Sequence, residues 1–151
     1  MMTNEPNALP IRGNNVVHGF SLIEMVVVLA LIGVLAAIAV PAYTRHLGRT
    51  HRVAAESCMA EYAHYLERFH VAHLRYDGTT EGVANVDPHL DCQARVARSY
   101  VITMTVTPAS FTVTATPTAT QARRDVSCGT LTVNQRGART ASGAAGVAGC
   151  W

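Results

Sequence analysis

The chain has 151 residues, a formal net charge of +2, 49% apolar residues and a mean hydropathy of +0.17. That length leaves room for one modest domain once a leader and an apolar segment are set aside. The charge is too small to mark a nucleic-acid-binding protein by itself. All twelve Lys/Arg positions are arginine, a bias with no functional reading.

Residues 1–19 are polar and irregular, with recurring Asn, Pro and Gly and one basic residue, Arg12, and they read as a leader. An apolar run then begins abruptly at Phe20 and continues through residue 42; from Phe20 to Val40 it holds one charge, Glu24. A helix of that length is roughly 30 Å long, enough to cross a bilayer core. A carboxylate inside such a segment costs roughly 2.5–3.5 kcal/mol on insertion scales, so it calls for a partner. Three readings compete. A cleaved secretory signal would use Ala37-Ile38-Ala39 as its site, but the run is long for that purpose and its start is poorly basic. A plain membrane anchor accounts for the length and leaves Glu24 and the Gly19/Phe20 boundary unexplained. The third reading rests on a motif.

Gly19-Phe20-Ser21-Leu22-Ile23-Glu24 resembles the processing site of type IV prepilins. The resemblance implies cleavage after Gly19 by a prepilin peptidase on the cytoplasmic face and N-methylation of the new terminal Phe20. It also implies that Glu24 meets the Phe20 ammonium of a neighbouring subunit in a filament and sets its register. Pilin-like subunits that cap a fibre can lack this carboxylate, so its presence points to a subunit placed beneath others. Within one chain, Glu24 lies one helical turn from Phe20 and can also offset the positive helix N-terminus. The leader departs from the short basic leaders of the type IVa group. Gly33 and Pro41 are the weak points of the helix: Pro41 removes one backbone hydrogen bond and is expected to kink it. In the family the stretch between such positions unwinds in the filament.

From Tyr43 an apolar stripe of Leu47, Ala54, Cys58, Tyr62, Tyr65, Phe69, Ala72 and Tyr76 predicts an amphipathic continuation, residues 43–77. Arg45, Arg49 and Arg52, then Glu56, Glu61 and Glu67, read as a solvated face; contact with acidic lipid headgroups or neighbouring subunits is the alternative. Asp77-Gly78 is the expected stop. The arginines following the span run against the positive-inside pattern, whereas the cysteines and the motif place the C-terminal part outside the cytoplasm.

Residues 78–98 show no periodicity and read as a connecting loop. Residues 99–107 and 111–116 predict a hairpin turned at Pro108-Ala109-Ser110, residues 128–134 a third strand, and residues 138–149 a Gly/Ala-rich tail without a core of its own. Four widely spaced cysteines, Cys58, Cys92, Cys128 and Cys150, all beyond the apolar run and in no CxxC pair, point to an oxidising compartment and two disulfides.

This order of elements is that of type IV pilins, an α+β fold in which a long N-terminal helix packs on an antiparallel sheet (here within residues 99–151) with a Cys-bounded C-terminal loop. The C-terminal pattern from Cys128 to Trp151 is similar to the PilE group of minor pilins. The expected pairing is Cys58, which the helix stripe turns toward the domain, with Cys92 of the loop, and Cys128 with Cys150, one of three pairings open to four cysteines. The implied role is a non-enzymatic fibre subunit supporting pilus biogenesis, twitching motility and adhesion. The implied partners are other pilins, the peptidase and methyltransferase, the inner-membrane assembly machinery, and lipid before assembly. A secretion-system pseudopilin shares the N-terminal physics. DNA uptake through Arg123, Arg124, Arg136 and Arg139 is a further reading, set against ordinary solvated arginines. His64, His70 and His73 lie on the helix without an acidic or Cys ligand to complete a metal site. No cofactor is expected, and no phosphate loop, HExxH or GxSxG occurs.

Overall fold

The structure, a computed structural model, describes residues 21–151. The processing residues Gly19 and Phe20 therefore lie outside the described residues. The chain divides into two units, one ending at Ile38 and the other spanning Ala39–Trp151.

Helix α1, Leu22–His73, passes from the first unit into the second, and its helical assignment is uninterrupted through Gly33 and Pro41. The break expected between them is absent: the helix runs on through both positions. In the first unit every described side chain is exposed, Leu22 through Val34 and Ile38 included. The helix is long and apolar enough to cross a membrane.

In the second unit α1 buries Gly48, Arg52, Ala55, Cys58, Met59, Tyr62 and Leu66. Most of these fall on alternating steps of four and three, one face of an α-helix. This line differs from the expected stripe. Cys58 and Tyr62 belong to both, but Ala54 and Ala72 are exposed, and Leu47, Tyr65 and Phe69 are half-buried. The face is turned because it includes an arginine that the solvated-face reading had placed outside: Arg52 is 8% exposed.

The helix ends at His73, three residues before the expected Tyr76. Leu74 adopts a left-handed conformation (φ 57°) and donates its N–H to the His70 carbonyl (2.7 Å), so it closes the helix in place of Asp77-Gly78. Gly78 instead serves a close approach, since a Cβ there would stand 2.6 Å from the Val83 carbonyl oxygen. Asn85 pins this crossing. Its amide donates to the Tyr76 carbonyl (2.8 Å), its Oδ1 accepts from the Tyr65 hydroxyl (2.8 Å), and its backbone N–H reaches Asp77 (2.8 Å). The segment read as a plain loop also carries a short helix α2, Asp91–Val96, whose buried Cys92 and Val96 face the core one turn apart. Cys92 is bonded to Cys58.

Strands β1 (Tyr100–Val106) and β2 (Phe111–Pro117) pair antiparallel from Tyr100↔Pro117 to Val106↔Phe111. The hairpin is closed by Thr107 and Ser110, which exchange backbone and side-chain hydrogen bonds. Alternation puts Tyr100 and Ile102 of β1, and Phe111, Val113 and Ala115 of β2, into the core with the buried face of α1. The third strand is shorter than expected: β3 is Leu131–Asn134, because Gly129 takes a positive φ (64°) ahead of it. The tail contributes a fourth strand, β4 (Arg139–Ala141), giving the order β1-β2-β3-β4. Asn134 Oδ1 accepts the N–H groups of Arg136 and Ala138 and shapes the β3–β4 turn. Two further short helices follow from the same packing, α3 (Ala119–Arg124) between β2 and β3 and α4 (Gly146–Cys150) at the C-terminus. Among tail residues 142–150 only Cys150 is buried, and it is bonded to Cys128. Each disulfide closes a loop whose chain-entropy contribution is roughly 3–4 kcal/mol.

Candidate functional site

Two places carry chemistry. The first is the head of α1. Glu24 lies in its first turn, exposed, where its charge complements the positive helix N-terminus. Nothing else charged occurs between Glu24 and Arg45.

The second is a groove in the second unit, built where α3 crosses α1. Thr118 starts α3, its hydroxyl accepting the Gln121 N–H (3.4 Å). Thr118-x-x-Gln121 has the form of a capping box, a signal in the sequence that would have placed this helix. The Gln121 side chain is buried and donates to the Gly48 carbonyl (2.8 Å). Gly48 allows a close approach, since a Cβ there would lie 3.0 Å from the Arg124 carbonyl oxygen, tight enough that the neighbouring backbone would have to give by a few tenths of an ångström. The two helices thus meet backbone to backbone, and the arginines on either side come together. Arg45 and Arg49 of α1 and Arg123 and Arg124 of α3, all exposed, line a groove of about 410 Å³.

The lining of the groove also includes an ion pair. Arg52 Nη1 donates to both carboxylate oxygens of Asp125 (2.7 and 2.5 Å) and lies 3.0 Å from Cys128 Sγ. Its Nε faces Glu56 at 3.6 Å. Burial pushes the Glu56 carboxyl above its usual range, against the pull of Arg52. Asp125 and Glu56 are therefore occupied by Arg52. The four exposed arginines form no ion pair with any described residue.

The structure thus divides the arginines named for DNA contact. Arg123 and Arg124 join Arg45 and Arg49. Arg136 sits in the β3–β4 turn, and Arg139 of β4 lies over the Trp151 ring (4.8 Å to its centroid) beside a smaller cleft lined by Glu56, Met59 and Val133. The helix histidines separate too: His64 is exposed, His70 stacks on Tyr76 (4.3 Å) and His73 lies against Phe69 (4.5 Å). Cys58 and Cys92 anchor the loop after α1, and Cys128 and Cys150 lock the tail beside the groove.

Comparison with known proteins gives three findings. A family model described as type IV minor pilin ComP, DNA uptake sequence receptor, matches residues 41–132. The prokaryotic N-terminal methylation motif matches residues 14–40, a stretch that includes Gly19, Phe20 and Glu24. Among solved structures, a type IV pilin from Shewanella oneidensis is 23% identical and aligns over 69% of this chain and 97% of that one, with a TM-score of 0.48. No curated protein matches the chain.

Proposed function

The chain belongs to the ComP family of type IV minor pilins, and from that premise we propose that it is a fibre subunit which receives DNA on the groove between α1 and α3. The observation that carries the reading is the set of four arginines, Arg45, Arg49, Arg123 and Arg124, without an ion-pair partner among the described residues and converging in one groove inside the region that matches the family. Guanidinium groups present planar forks that suit phosphate oxygens, and such contacts position nucleic acid without reading its sequence.

The N-terminal physics supplies assembly. Cleavage after Gly19 frees the Phe20 ammonium, which is then methylated, and Glu24 becomes its partner on an adjacent subunit. Before assembly the apolar part of α1 holds the subunit in the inner membrane. Two disulfides support a second unit outside the cytoplasm, where thiols oxidise. In the fibre the subunit works with the other pilins, and twitching and adhesion are further outputs of the same assembly. The match to a minor-pilin family favours a pilus over a secretion-system pseudopilin.

The test is DNA binding by the full chain in detergent, followed by fluorescence anisotropy over a salt series. Replacing the four groove arginines by Gln is expected to weaken binding and flatten the dependence on salt. The maximal change in slope is about 3–4, from roughly 0.9 per phosphate contact. Unchanged affinity and slope in that variant would remove the groove from the reading.

A further inference from the structure

We propose that, while the subunit is still in the membrane, the same groove holds the phosphates of anionic phospholipids. Four observations converge on this. The last residue of the uncharged stretch is Ala42, and Arg45 and Arg49 follow it by three and seven residues on the same helix. At 1.5 Å per residue they stand about 5 and 10 Å farther along the axis. The headgroup layer is about 5–8 Å deep on each side of a bilayer, so Arg45 falls within it and Arg49, with its long side chain, reaches back to it.

Tyr43, between the apolar stretch and the first arginine, is 63% exposed, and a tyrosine there suits the water–lipid boundary. The close crossing at Gly48 then adds Arg123 and Arg124 of α3 to the same groove, so two distant parts of the second unit build one basic patch around the helix turns that follow Ala42. Asp125, the one carboxylate of the groove lining among the described residues, is engaged by Arg52 and does not neutralise it. Arginines on the side proposed to lie outside the cytoplasm are not explained by retention of positive charge on the cytoplasmic face. A lipid ligand gives them a reason that precedes assembly.

The lipid contact rests on the groove and the apolar stretch before it, not on the DNA reading. One consequence rests on the DNA reading: phosphates of lipid and DNA would compete, so the groove opens to DNA when the subunit leaves the bilayer. Each arginine near an anionic surface strengthens association about fivefold, so the four together outweigh any one contact.

The experiment uses the full chain, stripped of lipid in a neutral detergent and titrated with phosphatidylglycerol or phosphatidylcholine, with retention read by native mass spectrometry. Phosphatidylglycerol is expected to be retained at least about tenfold more tightly. The combined Arg45→Gln, Arg49→Gln, Arg123→Gln and Arg124→Gln variant should lose that preference, whereas Arg136→Gln in the β3–β4 turn should keep it. Equal retention of the two lipids, or a preference that survives the combined variant, would overturn the proposal. Soluble glycerol phosphate should fail to displace the lipid; displacement would assign the groove to free phosphate esters instead. A last arm compares DNA binding in nanodiscs with and without phosphatidylglycerol. Weakening by the anionic lipid supports competition, and DNA binding unaffected by it overturns competition. Absence of DNA binding in both discs overturns the DNA reading and leaves the lipid result to be judged by retention.

Discussion

At Leu74 a branched side chain sits in a left-handed conformation that costs an L-residue roughly 1–2 kcal/mol. Its side chain is 80% exposed and forfeits little on removal. Leu74→Gly is therefore expected to raise stability by about 0.5–1 kcal/mol, the relief being partly offset by the greater freedom of glycine in the unfolded chain; a denaturant titration would show it, and a lower midpoint would contradict it. Asp87 carries the opposite kind of stored energy. Burial pushes its carboxyl up, but the Tyr62 hydroxyl (2.7 Å), the His89 N–H (2.9 Å) and the Gln93 amide (3.3 Å) outweigh burial and hold it below its usual range. A carboxylate with a depressed folded pKa contributes stability that is present above its unfolded value, about 3.9, and is lost as pH falls through the folded one. Glu56, raised by burial, works in the reverse direction. Melting temperature measured from pH 5 to pH 2 is expected to fall most below about pH 4, and Asp87→Asn should flatten that fall. An equally steep fall in the variant would assign the acid sensitivity to other groups.

At the scale of elements, the groove depends on α3 being held to α1 by Gln121 and by the bare backbone at Gly48. Gln121→Ala removes this second donor from the Gly48 carbonyl, which stays in the α1 backbone ladder, and is expected to cost about 0.5–1.5 kcal/mol. Gly48→Val places a branched side chain where even a Cβ would stand 3.0 Å from the Arg124 carbonyl oxygen, and is expected to push the two backbones apart. Both variants should raise amide hydrogen exchange across residues 119–124 and weaken DNA binding, with every groove arginine still present. Protection of α3 unchanged in both would mean that the crossing is not what positions the arginines. This crossing also shows where the sequence was legible and where it was not. The long helix, the hairpin and the third strand follow from periodicity, because apolar residues recur along each element and the signal is local. Arg123 and Arg124 were visible as a pair, but their union with Arg45 and Arg49 rests on Gly48, a position that acts by lacking a side chain. Arg52 misled for a related reason. A helix pattern counts an arginine as a solvent-facing residue, and only a partner 73 positions away, Asp125, makes it part of the buried face. The fourth strand escaped notice because Arg139-Thr140-Ala141 has almost no apolar pattern; it pairs with β3 through its backbone and through Thr140, whose hydroxyl meets that of Thr132 (2.6 Å).

The whole molecule joins a folded unit that satisfies its own core to an apolar helical segment that satisfies nothing by itself. Leu22, Leu29, Leu35 and Ile38 are each exposed by two thirds or more, an apolar surface that is costly in water and suits a lipid or protein environment. The boundary between the units falls at Ile38/Ala39, between the two weak points read from the sequence, Gly33 and Pro41. Gly33 has open space where a Cβ would be, so no described residue demands glycine there. Glu24 poses the same question with a charge. Removing it makes the segment easier to place in a bilayer, by roughly 2.5–3.5 kcal/mol on insertion scales, so a role in membrane residence predicts that Glu24→Ala inserts as well as the natural chain or better. A role in assembly predicts the reverse at the next step, because the Phe20 ammonium of each processed subunit would enter an apolar fibre without its carboxylate, a loss of about 3–5 kcal/mol for a buried pair that loses one member. The two are separated by following one variant through both steps. Glu24→Ala is expected to yield a mature chain beginning at Phe20, found in the membrane fraction at ordinary levels, with its share in sheared filaments lowered by at least about tenfold. Glu24→Gln, which keeps the shape and removes the charge, should behave alike, and a filament share equal to that of the natural chain in either variant would place the work of Glu24 elsewhere than in assembly.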